Sequence, residues 1–382
     1  MKFVPLYLNK NSMRLLILLM AVHIIGTIVA YAIYAKLASL GDGYLPKDYL
    51  EAIKLNKYGE GFSRSGMVHA IYYYIGNLLP GFWTPLALGQ IVAVTTWHAF
   101  RSVYSQINRQ LFWLCNLFPH FLIWSGSSSK EQIVIIFGIF VIGFVVKCLF
   151  FKHKLTILSL LLVGFSLTII FLIRPNYFLV YFTICITSLL APMLNKIKIY
   201  RLSVGIWTLM FCLVTMLASL LAYAFTPFFT NDVIDFMIGV EGHFLNLPGG
   251  SNRTDIQWET ISDFLYNALW GIPQGFIGPT LVESIMKPLQ FPVFLEGLLY
   301  LFILCYLFAK LFKLAYFYNE LRVYILPYFF VLIVIIFVSY PFLMFNPGSA
   351  LRYKQALHPI LFFYPLLIIA YARMTNSISK KL

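Results

Sequence analysis

Three kinds of residue in this chain could do chemistry, and all of them fall between long apolar runs. Asp42, in LGDGYLPKDYLEA, sits just beyond the first apolar run, with Asp48, Glu51 and Glu60 following it. A carboxylate held there has the character of a general base for a hydroxyl group, or of a ligand for a divalent cation. His243, in VEGHF beside Glu241, is a second candidate base. The competing readings are plain: Asp42-Gly43 is a turn signal, and Asp48 with Glu51 fits the first turn of a surface helix.

Cations supply the third kind. Lys130 lies in WSGSSSKEQ, where Ser128 and Glu131 have capping-box spacing for the helix that follows, leaving the ammonium for another use such as a phosphate contact. Arg174 closes an apolar run in LIRPNY, Arg253 stands in the glycine-rich LPGGSNRTD, and Arg352 and Lys354 stand two apart in NPGSALRYKQALHP. The planar donor fork of arginine matches a phosphate or diphosphate, although such a side chain at a helix end also snorkels to headgroups. If 352–358 open the last helix, Arg352 and Lys354 point to different sides. Arg352 is then the better site candidate, bordered by Tyr353 and His358.

The elements that must position these groups are membrane helices. Apolar residues make up 60% of the 382 and charged residues 11%, with a mean hydropathy of +0.82. One soluble core could not bury that much apolar surface. The net charge of +14 does not point to nucleic acid, because the basic residues sit in small groups between the apolar runs. The chain therefore reads as an all-α, polytopic integral membrane protein. Spans are expected at about 14–36, 82–100, 110–126, 132–151, 155–173, 177–195, 203–225, 291–309, 323–343 and 355–372, each near the ~20 residues a crossing needs. Residues 67–79 are short and Tyr-rich and end at Pro80-Gly81, so they read as an interfacial helix rather than another span.

With the N-terminus inside, 17 of the 28 basic residues fall in short inner connections, as the positive-inside bias requires. Both termini are then cytoplasmic. Of the 14 acidic residues, 12 lie outside, leaving Glu320 inside and Glu296 in the eighth span. The expected organisation is one membrane domain over 1–382, a first outer loop at 37–81 with its interfacial helix, and one large outer loop at 226–290. That large loop carries an amphipathic segment, IQWETISDFLYNALW. All five cysteines fall in apolar runs with no metal-type spacing, so neither a disulfide framework nor a protein metal centre is expected.

In chain order, GDGYLPKDYLEA, FPHFLIWSGSSSKE, LIRPNY, IPQGFIGP with FLEGLLY, and NPGSALRYKQALHP together resemble the polytopic proteins of bacterial surface-polysaccharide gene clusters. These are O-antigen and exopolysaccharide polymerases and the related membrane glycosyltransferases of GT-C type. The resemblance implies an inner-membrane enzyme whose substrate is an undecaprenyl-diphosphate-linked oligosaccharide met at the periplasmic face. Arg174, Arg253 and Arg352 would inherit contacts to the carrier diphosphate, and Asp42 the catalytic carboxylate. A divalent cation is a candidate cofactor, and membrane lipid, a chain-length regulator and a flippase of the same pathway are candidate partners. Two departures stand out: Gly43 replaces the second acid of a paired-acid motif, and neither Arg174 nor Arg253 is followed by glycine at the spacing described for some polymerases. The alternative reading is a lipid-linked sugar flippase that performs no covalent chemistry.

Overall fold

The computed structural model describes residues 10–34, 64–151, 156–174, 177–186, 253, 261–319, 321–322, 324–325, 328–329, 332 and 343–379. Among them the chain is helical with no strand. It divides into two compact units, Met1–Leu189 with Gln355–Leu382, and Leu190–Lys354.

In the first unit, α1 (Lys10–Val29) continues into a π turn at Ala30–Tyr34 and is long and apolar enough to cross a membrane. Next come α2 (Arg64–Leu78), α3 (Trp83–Phe100), α4 (Arg109–Asn116), α5 (Pro119–Gly126), α6 (Lys130–Phe151), α7 (Ile157–Ile173) and α8 (Tyr177–Ile186). Between Ile71–Leu78 and Trp83–Phe100 the chain bends by 105°. The bend falls where Pro80 cannot donate a helical hydrogen bond and Gly81 takes φ +65°. Helix α2 therefore does not prolong α3, in keeping with an element that leaves the helix bundle's direction.

The directions of α1, α3, α6 and α7 follow from which ends touch. Trp97 Nε1 donates to Ser12 O at 2.8 Å, while a Cβ on Gly89 would lie 2.9 Å from Thr27 Oγ1, so α1 and α3 are antiparallel. Gln132 Nε2 donates to Pro85 O at 3.4 Å, and a Cβ on Gly143 would lie 2.9 Å from Ala99 Cβ, so α3 and α6 are parallel. Helix α7 brings Arg174, at its C-terminal end, to Glu131 at the start of α6, so these two are antiparallel. Where α1 crosses α5 the backbones nearly touch: a Cβ on Gly126 would stand 2.7 Å from Thr27 N. Small residues at such crossings are what allow apolar helices to gain close van der Waals contact when no hydrophobic effect drives them together. The interior of the unit also holds His358 stacked on Phe121 at 4.1 Å between ring centroids, with Phe362 and Phe363 around it.

The second unit contains α9 (Ile261–Ile277), α10 (Leu281–Met286), a 3₁₀ turn at Pro288–Gln290 and α11 (Phe291–Phe317). Thr280 opens α10 with a capping box, its hydroxyl accepting from Glu283 N while Glu283 accepts from Thr280 N. Gly278, at φ +98°, ends the preceding helix in a conformation that favours glycine. The last helical stretch is α12 (Pro347–His358), a π turn at Pro359–Phe363 and α13 (Tyr364–Ser379).

Four helical stretches among the described residues have the length and composition of a membrane crossing: Lys10–Ala32, Lys130–Cys148, Pro288–Phe317 and Pro347–Met374. Expectation and structure differ in four places. The expected span 110–126 is two eight-residue helices, broken where Phe118 is held extended ahead of Pro119, as a residue before proline prefers. The cap of α6 is shifted by one residue: Ser129 Oγ accepts from Gln132 N at 3.2 Å, and Glu131 turns to Arg174 instead. Helix α11 runs on to Phe317, beyond the expected end near 309. The last stretch starts at Pro347 rather than near 355, capped by Asn346, whose Oδ1 accepts from Gly348 N and Ser349 N. The expected span 203–225, most of 323–343 and most of the loop 226–290 lie outside the described residues.

Candidate functional site

Among the described residues, each unit holds a cluster of buried polar side chains. In the first unit it forms where α6 begins. Glu131 is almost wholly buried, at 3% side-chain exposure, and its Oε1 accepts from Arg174 NH2 at 2.5 Å. Arg174 keeps 19% of its side chain exposed, so the pair presents its cationic member outward and hides its anionic one. Lys130, the preceding residue, is half-buried. The next residue, Gln132, is a junction: its amide donates to Ser125 O at 2.7 Å, and its Oε1 lies 2.9 Å from Tyr72 Oη. Tyr72 also accepts from Ser129 N at 2.9 Å, so α2 is hooked onto the start of α6 through a side chain only 1% exposed. Beneath this, His23 Nδ1 lies 3.2 Å from Ser125 Oγ.

The other end of the same unit is basic. Arg101 lies over the Trp97 ring, Arg109 over Tyr104, and Arg373 donates to Gln106 O at 3.2 Å. Lys147 belongs to this end as well, within electrostatic reach of Arg101. The helix directions therefore separate two sets of groups that the sequence places on opposite sides: Lys130, Glu131 and Arg174 at one end, and Arg101, Arg109, Lys147 and Arg373 at the other.

In the second unit the polar groups gather around the end of α9. Arg253 is 7% exposed and every part of its guanidinium is engaged. Nε and NH2 form a fork onto Glu283, each at 2.8 Å, NH1 donates to Met344 O at 2.5 Å, and NH2 also donates to Gly278 O at 2.8 Å. Its backbone N–H donates to Phe345 O at 2.9 Å. Burial alone would raise the Glu283 carboxyl, but hydrogen bonds from Arg253 and Thr280 and the arginine's charge outweigh it and hold the group below the usual carboxylate range. Lys354 is wholly buried and donates from Nζ to Phe276 O at 2.6 Å, with its ammonium 4.7 Å from the Tyr300 ring centre and the charge of Glu296 acting on it. Cations thus cap the carbonyl end of α9, where the helix dipole is negative.

Arg352 and Lys354 do take different sides, as their spacing implied. Lys354 turns inward; Arg352 folds over its neighbour, its guanidinium 4.6 Å from the Tyr353 ring centre and 2.8 Å from the phenol oxygen. Of the residues nominated for chemistry, Lys130 and Arg174 share one cluster and Arg253 and Lys354 share the other. Asp42, Asp48 and His243 lie outside the described residues. Sequence reasoning missed Glu283, Gln132 and Tyr72. The Thr280-x-x-Glu283 spacing is visible as a capping box, but nothing local marks its carboxylate as the partner of an arginine thirty residues earlier. Among the described residues no group of three or more His, Cys, Asp or Glu side chains is placed to hold a metal ion. No protein-family model matches the sequence, and no curated protein or solved structure matches it.

Proposed function

We propose that this chain joins polyprenyl-diphosphate-linked glycan units, as a polymerase or glycosyltransferase at the extracytoplasmic face of a bacterial inner membrane. The observation that supports this best is the grouping of Lys130, Glu131 and Arg174 at the end of the first unit opposite its basic end. The basic end is then cytoplasmic by the positive-inside bias, and both termini with it. The Lys130–Arg174 end meets the headgroup layer, where a lipid carrier presents its diphosphate.

In the reaction a hydroxyl of one lipid-linked glycan attacks the anomeric carbon of another. The new C–O bond forms as the old one to the diphosphate breaks, and the hydroxyl proton passes to Asp42, Asp48 or His243. Lys130 and Arg174 balance the charge that develops on the departing diphosphate. Arg253 is assigned to the frame rather than to the substrate, because its donors already serve Glu283 and two carbonyls. Arg352, stacked on Tyr353 in the second unit, is a separate candidate cation for a diphosphate.

The test is extension of a defined undecaprenyl-diphosphate oligosaccharide by the purified chain in liposomes. Longer lipid-linked products without added nucleotide sugar are expected. Movement of the substrate between leaflets with no change in its length would instead establish the flippase.

A further inference from the structure

The segment before α11 has a composition that water does not suit. Leu281, Val282, Ile285, Met286 and Leu289 all point outward, Met286 at 76% and Leu289 at 90% exposure. Their positions follow one face of a short helix and its continuation, while Glu283 and Ser284 turn in. The only acid between Leu281 and Gln290, Glu283, is neutralised by the fork from Arg253, and Lys287 is the segment's other charged residue.

Geometry fixes how far this face can travel from the bilayer. The candidate span begins at Pro288, a single residue after α10 and Lys287. Helix α10 has six residues and is about 9 Å long. Each interfacial layer of a bilayer is about 5–8 Å thick. Helix α10 also packs against α11 instead of extending away from it, so it folds back beside the span. Its outward face is continuous with that of α11, where Phe291, Leu295 and Phe302 are exposed on a helix that is itself long and apolar enough to be surrounded by lipid.

We infer that residues 281–290 form a membrane-inserted collar around the start of α11, with the leucine, valine, isoleucine and methionine side chains among acyl chains and Lys287 at the level of the anionic headgroups. This moves the edge of the outer loop: its last ten residues belong to the bilayer interface rather than to the aqueous side. The clamp of Arg253 on Glu283 makes the placement possible, because an unpaired carboxylate would be drawn toward water.

The experiment is spin-label accessibility. The full chain, with its native cysteines replaced, carries a nitroxide at Ile285→Cys or Leu289→Cys and is reconstituted in phosphatidylethanolamine and phosphatidylglycerol liposomes. Both positions are exposed, so neither label disturbs packing. A several-fold excess of collisions with oxygen over collisions with a water-soluble nickel chelate is expected at both positions. Free access of nickel would place the collar in water, and exclusion of both reagents would mean that protein covers this face; either result overturns the inference.

Discussion

Arg174 and Arg253 each meet a glutamate, yet the two pairs are built in opposite senses. In the first unit the carboxylate of Glu131 is sealed in and the arginine keeps an exposed edge. In the second the arginine is sealed in, at 7% side-chain exposure, and the carboxylate of Glu283 keeps 27%. An arginine spent on two carbonyls and a bidentate carboxylate has little left for a ligand and much to do for the fold. One held from behind by a buried carboxylate is fixed in place with its exposed edge facing outward. The two pairs show that arginines equally prominent in the sequence can differ in which member of the pair is buried, Arg253 serving the frame and Arg174 keeping an exposed edge.

The largest effect should come from breaking the buried arginine. Arg253→Ala removes the guanidinium from Glu283 and from the carbonyls of Met344 and Gly278, and should cost about 3–5 kcal/mol, read as a lowered midpoint in denaturant or heat unfolding of the detergent-solubilised chain. If Arg253→Ala were neutral, the assignment of this pair to the frame would fail. Arg174→Ala removes the arginine partner of the buried Glu131, so a loss on the order of 1–3 kcal/mol is expected, and adding Glu131→Gln should recover most of it. Recovery in this double variant, with no comparable rescue of Arg253→Ala by Glu283→Gln, is the sharpest form of the contrast.

Acid should discriminate the pairs further. The Glu283 carboxyl is held below its ordinary value in the folded chain. Its contribution is therefore complete above the ordinary carboxylate range, and is lost as pH falls through the lowered folded value. Glu283→Gln should abolish that part of the acid sensitivity, measured as unfolding midpoint against pH below about 4.3, the unperturbed glutamate value. The smallest effect is expected of Tyr72→Phe, which removes one hydroxyl from the Ser129 and Gln132 junction and should cost about 1 kcal/mol, with α2 the first element to exchange its amide hydrogens.

Much of this architecture is legible in the residues themselves. The ends of α1, α3, α6 and α7 lie close to where hydropathy and charge place them, and Lys130 and Arg174 fall on one end as the alternation of basic loops requires. The misreadings share a cause. A hydropathy window over 110–126 averages across Pro119, whose missing N–H and effect on Phe118 break the helix whatever the mean. The same window stops at 355 because PGSALRYKQALH is polar, although the helix starts at Pro347 and its Lys354, Gln355 and His358 are buried inside the protein. Hydropathy reports contact with lipid, and a polar helix shielded by its own protein escapes it. The partner of Arg253 is not legible at all, because a pairing across thirty residues depends on where the chain folds back at Gly278.

The central claim is that the Lys130–Arg174 end handles a lipid-linked diphosphate, and a charge-neutral exchange tests it without the ambiguity of unfolding. The chain carrying both Arg174→Gln and Glu131→Gln should unfold within about 1 kcal/mol of the unsubstituted protein. It should nonetheless extend an undecaprenyl-diphosphate oligosaccharide at least about tenfold more slowly, the loss of one transition-state contact worth ~1.4 kcal/mol. Extension at the unsubstituted rate by a stably folded double variant would contradict the account.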